Sequence, residues 1–202
     1  MDKYEATHTV YEKDNIARSY AKSHDDILII KNHADAFMAS LPGKRIMDIG
    51  CGPGRDVKYF YDNGLDVIGV DTSSKLIHMA RQKAPGAIFA LMDMRDVGNA
   101  YTNFDGIWSC GSFYHIEKKY ALDALKGFYN VLRTGGQLYL SVKEGKTERF
   151  IKRKEFLGER KFYAFYQMDE LVNLIEKAGF TVTRTKKEYK KTIWLNVFAI
   201  KE

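Results

Sequence analysis

Apolar residues set two rhythms along the chain. Through the first 41 residues the spacing is helical: Ile16, Ala17 and Tyr20 share a face, as do Ile30, Ala34, Phe37 and Leu41. Pro42-Gly43 closes that stretch. Short apolar runs then alternate with helical periods. Residues 45–49 predict a strand, followed by a Gly-rich turn and a helix over 53–63 with Pro53 in its first turn. Residues 66–70 predict a second strand, and Ser73 or Ser74 can cap the helix carrying Leu76, Ile77, Ala80 and Ala84. Residues 87–91 and 104–109 predict a third and a fourth. Over 118–132, Ala121, Leu122, Leu125, Phe128, Tyr129 and Leu132 share one helical face, and Thr134-Gly135-Gly136 stops that helix. A fifth strand follows at 137–142.

Strands that alternate with helices predict a mainly parallel sheet covered on both faces. The tail breaks the rhythm. Leu171, Val172, Leu174, Ile175 and Ala178 mark a helix that Gly179 ends. Residues 180–185 and 192–200 follow with only a basic turn between them, and strands joined so closely pair antiparallel. The expected fold is α/β and Rossmann-like: a doubly wound, mainly parallel seven-stranded sheet with a C-terminal antiparallel hairpin and an N-terminal helical cap. A single domain over 1–202 is expected: cap 1–41, ligand-binding core 42–142, and substrate-side segment with hairpin 143–202.

Composition changes this picture little. The chain has 202 residues, enough for a core without disulfides. No apolar run approaches the roughly 20 residues of a membrane span. Asp2 and Glu5, with no apolar stretch beside them, predict no secretory signal. The two cysteines, Cys51 and Cys110, have no zinc or redox spacing, so no metal is expected and a reducing cytoplasm is the natural setting. A net charge of +6, much of it in 143–161 and 184–191, permits nucleic-acid contact without demanding it.

Candidate chemistry gathers at the strand ends, where open α/β sheets bind ligands. In order these ends carry Asp48-Ile49-Gly50-Cys51-Gly52-Pro53-Gly54, then Asp71, Asp93 and Ser109-Cys110-Gly111-Ser112. The glycines let backbone approach a ligand, and the following helix N-terminus favours a carboxylate. Asp71 can accept bonds from two ribose hydroxyls. Asp93 can accept one from an adenine amino group, with Met92 and Met94 packed on the base. Each feature alone has an ordinary explanation: a tight turn, a helix-start acid, a solvated loop charge, a small filler at Cys51. Their joint placement at successive strand ends points to a nucleoside-bearing ligand.

These residues carry a resemblance. IMDIGCGPGR (46–55), VIGVDTS (67–73), FALMDMRDV (89–97), FDGIWSCGSFYHI (104–116) and VLRTGGQLYLSV (131–142) resemble successive motifs of the class I S-adenosylmethionine-dependent methyltransferases. GRDVKYF and DGIWSCGSFYHI are also similar to small bacterial tellurite-resistance-like methyltransferase-domain proteins. The resemblance implies S-adenosyl-L-methionine as cofactor. It implies Asp48 and the Gly50 backbone at the methionine amino group, with Cys51, Gly52 and Gly54 in the same loop. Asp71, beside Thr72, would take the ribose hydroxyls and Met92–Met94 the adenine. Ser109 and Cys110 backbone would lie beside the sulfonium. Tyr20 would either close over the cofactor carboxylate or pack as a cap aromatic.

An activated methyl group needs an acceptor held in line with it and shielded from water. His115 is the candidate general base, with packing or helix capping as its alternative. Tyr114, a second catalytic candidate, Tyr163 and Tyr166 would line the acceptor pocket. The fourth motif lacks an Asn/Asp-Pro-Pro-aromatic signature and a Pro-Cys pair, so by resemblance it argues against amino methylation of adenine or cytosine in nucleic acid and against the DNA cytosine-C5 type. A small-molecule acceptor is the leading expectation, for a monomer or homodimer. RNA or protein methylation, a non-catalytic binding protein and an NAD-dependent oxidoreductase are the alternatives. The last fits less well, because Arg55 stands where the dinucleotide fingerprint wants its third glycine.

Overall fold

The computed structural model describes residues 3–152 and 156–202, with side chains from residue 7 onward. Asp2, the side chain of Glu5 and positions 153–155 of the basic stretch lie outside the described residues. The elements in chain order begin with α1 (Lys3–Tyr11), α2 (Asp14–Ser23) and α3 (Lys31–Ser40). The alternating core runs β1 (Arg45–Ile49), α4 (Arg55–Asp62), β2 (Asp66–Asp71), α5 (Ser74–Lys83), β3 (Ile88–Leu91), α6 (Val97–Ala100), β4 (Phe104–Cys110), α7 (Lys118–Val131) and β5 (Leu132–Lys143). Then come β6 (Glu148–Lys152), β7 (Arg160–Ala164), α8 (Met168–Lys177), β8 (Thr181–Lys190) and β9 (Thr192–Ile200).

Seven strands form one sheet in the order β3-β2-β1-β4-β5-β9-β8. The first five pair in parallel, and β9 runs antiparallel to both β5 and β8. This is the Rossmann-like sheet with its antiparallel hairpin. Alternation along the strands divides the core between the two faces. Met47, Ile49, Ile107, Leu138 and Leu140 pack with Leu125, Phe128 and Leu171 from α7 and α8. Ile46, Val67, Trp108 and Tyr139 pack with Phe37, Phe60 and Ile77 from α3, α4 and α5. Trp108 stacks on Tyr139 at 3.9 Å, and its indole N–H donates to the buried Asp56 at 2.8 Å, pinning α4 to the sheet. Strand order reverses between β1 and β4, which opens a crevice beyond their carboxyl ends. Among the described residues, no helix is long and apolar enough to cross a membrane.

Three local expectations are corrected. The helix after β1 starts at Arg55, not Pro53, because Gly54 closes the loop with a left-handed φ of +83°. Thr134-Gly135-Gly136 does not stop α7; the chain turns extended at Leu132 and the glycines lie inside β5. Leu132 pairs with Phe104 and Gln137 with Gly106, so the intervening residues bulge, held where Gly135 N donates to Lys201 O at 2.7 Å. The basic stretch after Thr183 is strand through Lys190, and the reversal falls at Lys191 with φ +60°. Those cations lie on an edge strand, where charge discourages further pairing.

The β6–β7 ribbon was not expected. Its Glu148-Arg149-Phe150-Ile151-Lys152 and Arg160-Lys161-Phe162-Tyr163-Ala164 strands sit within a run legible only as charge, yet Phe150 and Phe162 face each other across it. Helix α1 packs along β7, with Phe162 N donating to Thr7 Oγ1 at 2.9 Å.

Candidate active site

The crevice is a cleft partly open to solvent. Its floor comes from strand ends: Gly50 and Gly52 after β1, Val70, Asp71 and Thr72 at β2, Met92 and Met94 after β3, and Gly111 and Ser112 after β4. His115 closes one end. Its roof is Thr7, His8 and Tyr11 of α1 with Tyr20 of α2, while Leu76 of α5 packs from the side.

The loop after β1 is shaped for close approach. Gly50 has φ +74°, and a Cβ there would fall 2.2 Å from Ser112 Cβ. Gly50 N and Cys51 N both donate to Val70 O, at 2.8 and 3.0 Å, tying the loop to β2. Asp71 then braces the loop: Oδ2 accepts from Gly52 N at 2.9 Å, and Oδ1 from Ser73 N at 2.9 Å. Each carboxylate oxygen keeps a second lone pair, so Asp71 can still accept bonds from a ligand. Burial raises its pKa above the usual carboxylate value despite those backbone donors. Ser73 also caps α5, accepting from Leu76 N at 3.3 Å.

Asp48 lies beneath the loop, only 2% exposed. Its Oδ2 is buried with no hydrogen-bond partner among the described residues. Burial, then the nearby Asp56, drives its pKa well above the carboxylate range. A buried, unpartnered carboxylate oxygen costs stability unless a donor or cation reaches it.

The His115 end of the cleft is assembled differently. His115 ends a short 3₁₀ turn, Phe113–His115, after β4. Its Nδ1 lies 2.7 Å from Phe162 O in β7. A carbonyl only accepts, which assigns the proton to Nδ1 and makes Nε2 the basic nitrogen of the neutral ring. Ser112 donates to Ile49 O at 2.6 Å and receives Ser109 Oγ at 2.9 Å, which locks the turn to β1.

The expected site residues divide. Tyr20, Gly50, Gly52, Asp71, Thr72, Met92, Met94 and His115 line the cleft. Others stand behind it. The Cys51 side chain turns into the core and burial raises its thiol pKa well above normal. Gly54 packs against Ala80 instead, where a Cβ would fall 2.9 Å from Ala80 Cα. Asp93 is already engaged by Arg95, whose guanidinium spans both carboxylate oxygens at 2.6–3.1 Å. Gly111 and Ser112 take the lining positions expected of Ser109 and Cys110. Tyr114 and Tyr163 are buried against each other, rings stacked at 5.3 Å, and Tyr166 is fully buried. Thr7, His8 and Tyr11 were missed, since α1 carries no clear apolar face that would mark it as a roof.

Strand-end glycines, an Asp at the end of β2 and a cleft at the switch point are the features that carry the resemblance to class I S-adenosylmethionine-dependent methyltransferases. Residues 46–136 match the family model described as a methyltransferase domain. The chain is 31% identical over 125 residues to malonyl-[acyl-carrier protein] O-methyltransferase of Enterobacter lignolyticus, covering 60% of this chain and 48% of that one. It is 28% identical over 185 residues to tRNA U34 carboxymethyltransferase of Cellvibrio japonicus, covering 82% and 56%. The chain thus spans about half the length of these relatives. In fold it is similar to a TehB-like SAM-dependent methyltransferase of Corynebacterium glutamicum, with TM-score 0.70, 22% identity, and coverage of 92% and 94%.

Proposed function

We propose that the chain transfers a methyl group from S-adenosylmethionine to a small-molecule acceptor. The observation that carries this reading is the buried, unpartnered Asp48 Oδ2 beneath a loop braced by Asp71. An ammonium is the partner such an oxygen lacks, and the cofactor's methionine end carries one. Asp48 and the Gly50 backbone would hold that end, Asp71 the ribose hydroxyls, and Met92 and Met94 the adenine face. When bound, the cofactor supplies a methyl group on a positively charged sulfur.

The chain's own task is then to orient an acceptor and exclude water. The roof of Tyr11 and Tyr20 supports exclusion. His115 Nε2 would take the proton that the acceptor heteroatom releases as it bonds the methyl group, while sulfur keeps the electron pair of the broken bond. The roof also supports a small acceptor, because Thr7, His8, Tyr11 and Tyr20 of the N-terminal cap line the cleft together with the strand ends. A screen of small acceptors for S-adenosylhomocysteine production tests the reading. Product with a small acceptor, reduced in His115→Ala, is expected; methylation confined to RNA or protein would overturn it.

A further inference from the structure

His8 lines the roof of the cleft without a hydrogen bond of its own. It stands in the last turn of α1, across the cleft from Asp71, and its side chain is 27% exposed. The carboxylate oxygen it pairs with, Glu12 Oε1, lies 3.7 Å from Nε2, too far for a hydrogen bond. Neither ring nitrogen has a hydrogen-bond partner among the described residues. Glu12 meanwhile ties the roof to the floor: its carboxylate oxygens accept from Ser73 Oγ at 2.8 Å and Ser74 Oγ at 2.7 Å. Ser73 N in turn donates to Asp71 Oδ1 at 2.9 Å. A short polar chain therefore sets His8 and Asp71 in register on the two sides of one cleft. Burial raises the Asp71 pKa, and His8 is among the groups that oppose the rise.

An ionised carboxylate only accepts hydrogen bonds, whereas a hydroxyl has one proton to give and two lone pairs to fill. When two ribose hydroxyls donate to Asp71, their oxygens still need donors. The backbone donors beside Asp71 are spent, since Gly52 N and Ser73 N both bond its carboxylate. An imidazole carries an N–H whether neutral or protonated. We infer that His8 is a positioning residue for the cofactor's ribose: its ring N–H donates to a hydroxyl oxygen whose own proton goes to Asp71. This rests on the methyltransfer reading above. The ribose is gripped from both sides, by Asp71 in the floor and His8 in the roof.

The test is titration calorimetry with S-adenosylhomocysteine and its 2′-deoxy and 3′-deoxy analogues, on the parent chain, His8→Leu and His8→Gln. Displacement of S-adenosylhomocysteine reads any analogue too weak for direct titration. His8→Leu should weaken S-adenosylhomocysteine by about 3- to 12-fold, the worth of one hydrogen bond. The analogue that lacks the hydroxyl held by His8 should bind the parent chain and His8→Leu equally. His8→Gln keeps an N–H donor and should retain most of the S-adenosylhomocysteine affinity. A residue that only packs the roof would weaken all three ligands alike, and that result would overturn the inference. Unchanged S-adenosylhomocysteine affinity in His8→Leu, or a His8→Gln chain no better than His8→Leu, would overturn it too. Should His8→Leu fail to fold, His8→Ala carries the same comparison. Failure of S-adenosylhomocysteine to bind the parent chain would instead sink the methyltransfer reading itself.

Discussion

The two ends of the cleft are built by different means. At the end proposed for the cofactor, each lining residue follows its strand directly: Gly50 and Gly52 after β1, Asp71 at β2, Met92 and Met94 after β3. Parallel pairing places those ends side by side, so sequence order alone assembles them. At the His115 end, His115 meets Phe162, and the roof comes from α1. Those partners lie far apart in the chain and belong to elements with no shared period. One end is set by sheet topology; the other depends on how the cap and the β6–β7 ribbon settle on it.

This contrast explains what the sequence disclosed. The sheet, its hairpin and the cofactor loop were legible because apolar alternation and glycine spacing are local signals. Asp48 and Asp71 were legible as strand-end acids. That Asp48 lacks a partner was not, since burial is a property of the packed chain. The ribbon hid inside a charged run, and Thr7 and His8 hid in a helix without an apolar stripe. That the Cys51 side chain turns into the core was not legible either, because a motif names a loop and not the direction in which each side chain points.

The largest effect should come from the topological end. Gly50→Val adds strain of about 1–3 kcal/mol at positive φ and drives a Cβ into Ser112. S-adenosylhomocysteine affinity should fall by more than about 100-fold by calorimetry, and an unchanged affinity would detach the loop from cofactor binding. His115→Ala should act at the other end, lowering turnover by roughly 10²-fold or more while cofactor affinity holds. A raised acceptor Michaelis constant with turnover intact would make His115 a pocket wall instead.

Asp71→Ala should weaken cofactor binding by about 30- to 150-fold, on the order of 2–3 kcal/mol for two charge-assisted hydrogen bonds. Asp93→Asn should cost less, about 1 kcal/mol or under, because Arg95 already occupies its carboxylate. Equal losses in the two variants would mean that Arg95 releases Asp93 to the adenine.

Acidity separates the ends as well. Asp48 and Asp71 both have pKa values raised by burial. A cationic ligand group favours the ionised carboxylate, so the proton competes with the cofactor. Affinity should therefore be full above the raised values and decline as pH falls through them, beginning above the ordinary carboxylate range. Calorimetry across pH reads this directly, and an affinity that strengthens on acidification would reverse the assigned sign.

What the strand-end cleft holds is read most directly by titration calorimetry of the chain with S-adenosylhomocysteine and, in parallel, with NAD. One-to-one binding of S-adenosylhomocysteine with no heat from NAD is the predicted result. Binding of NAD without S-adenosylhomocysteine would contradict it.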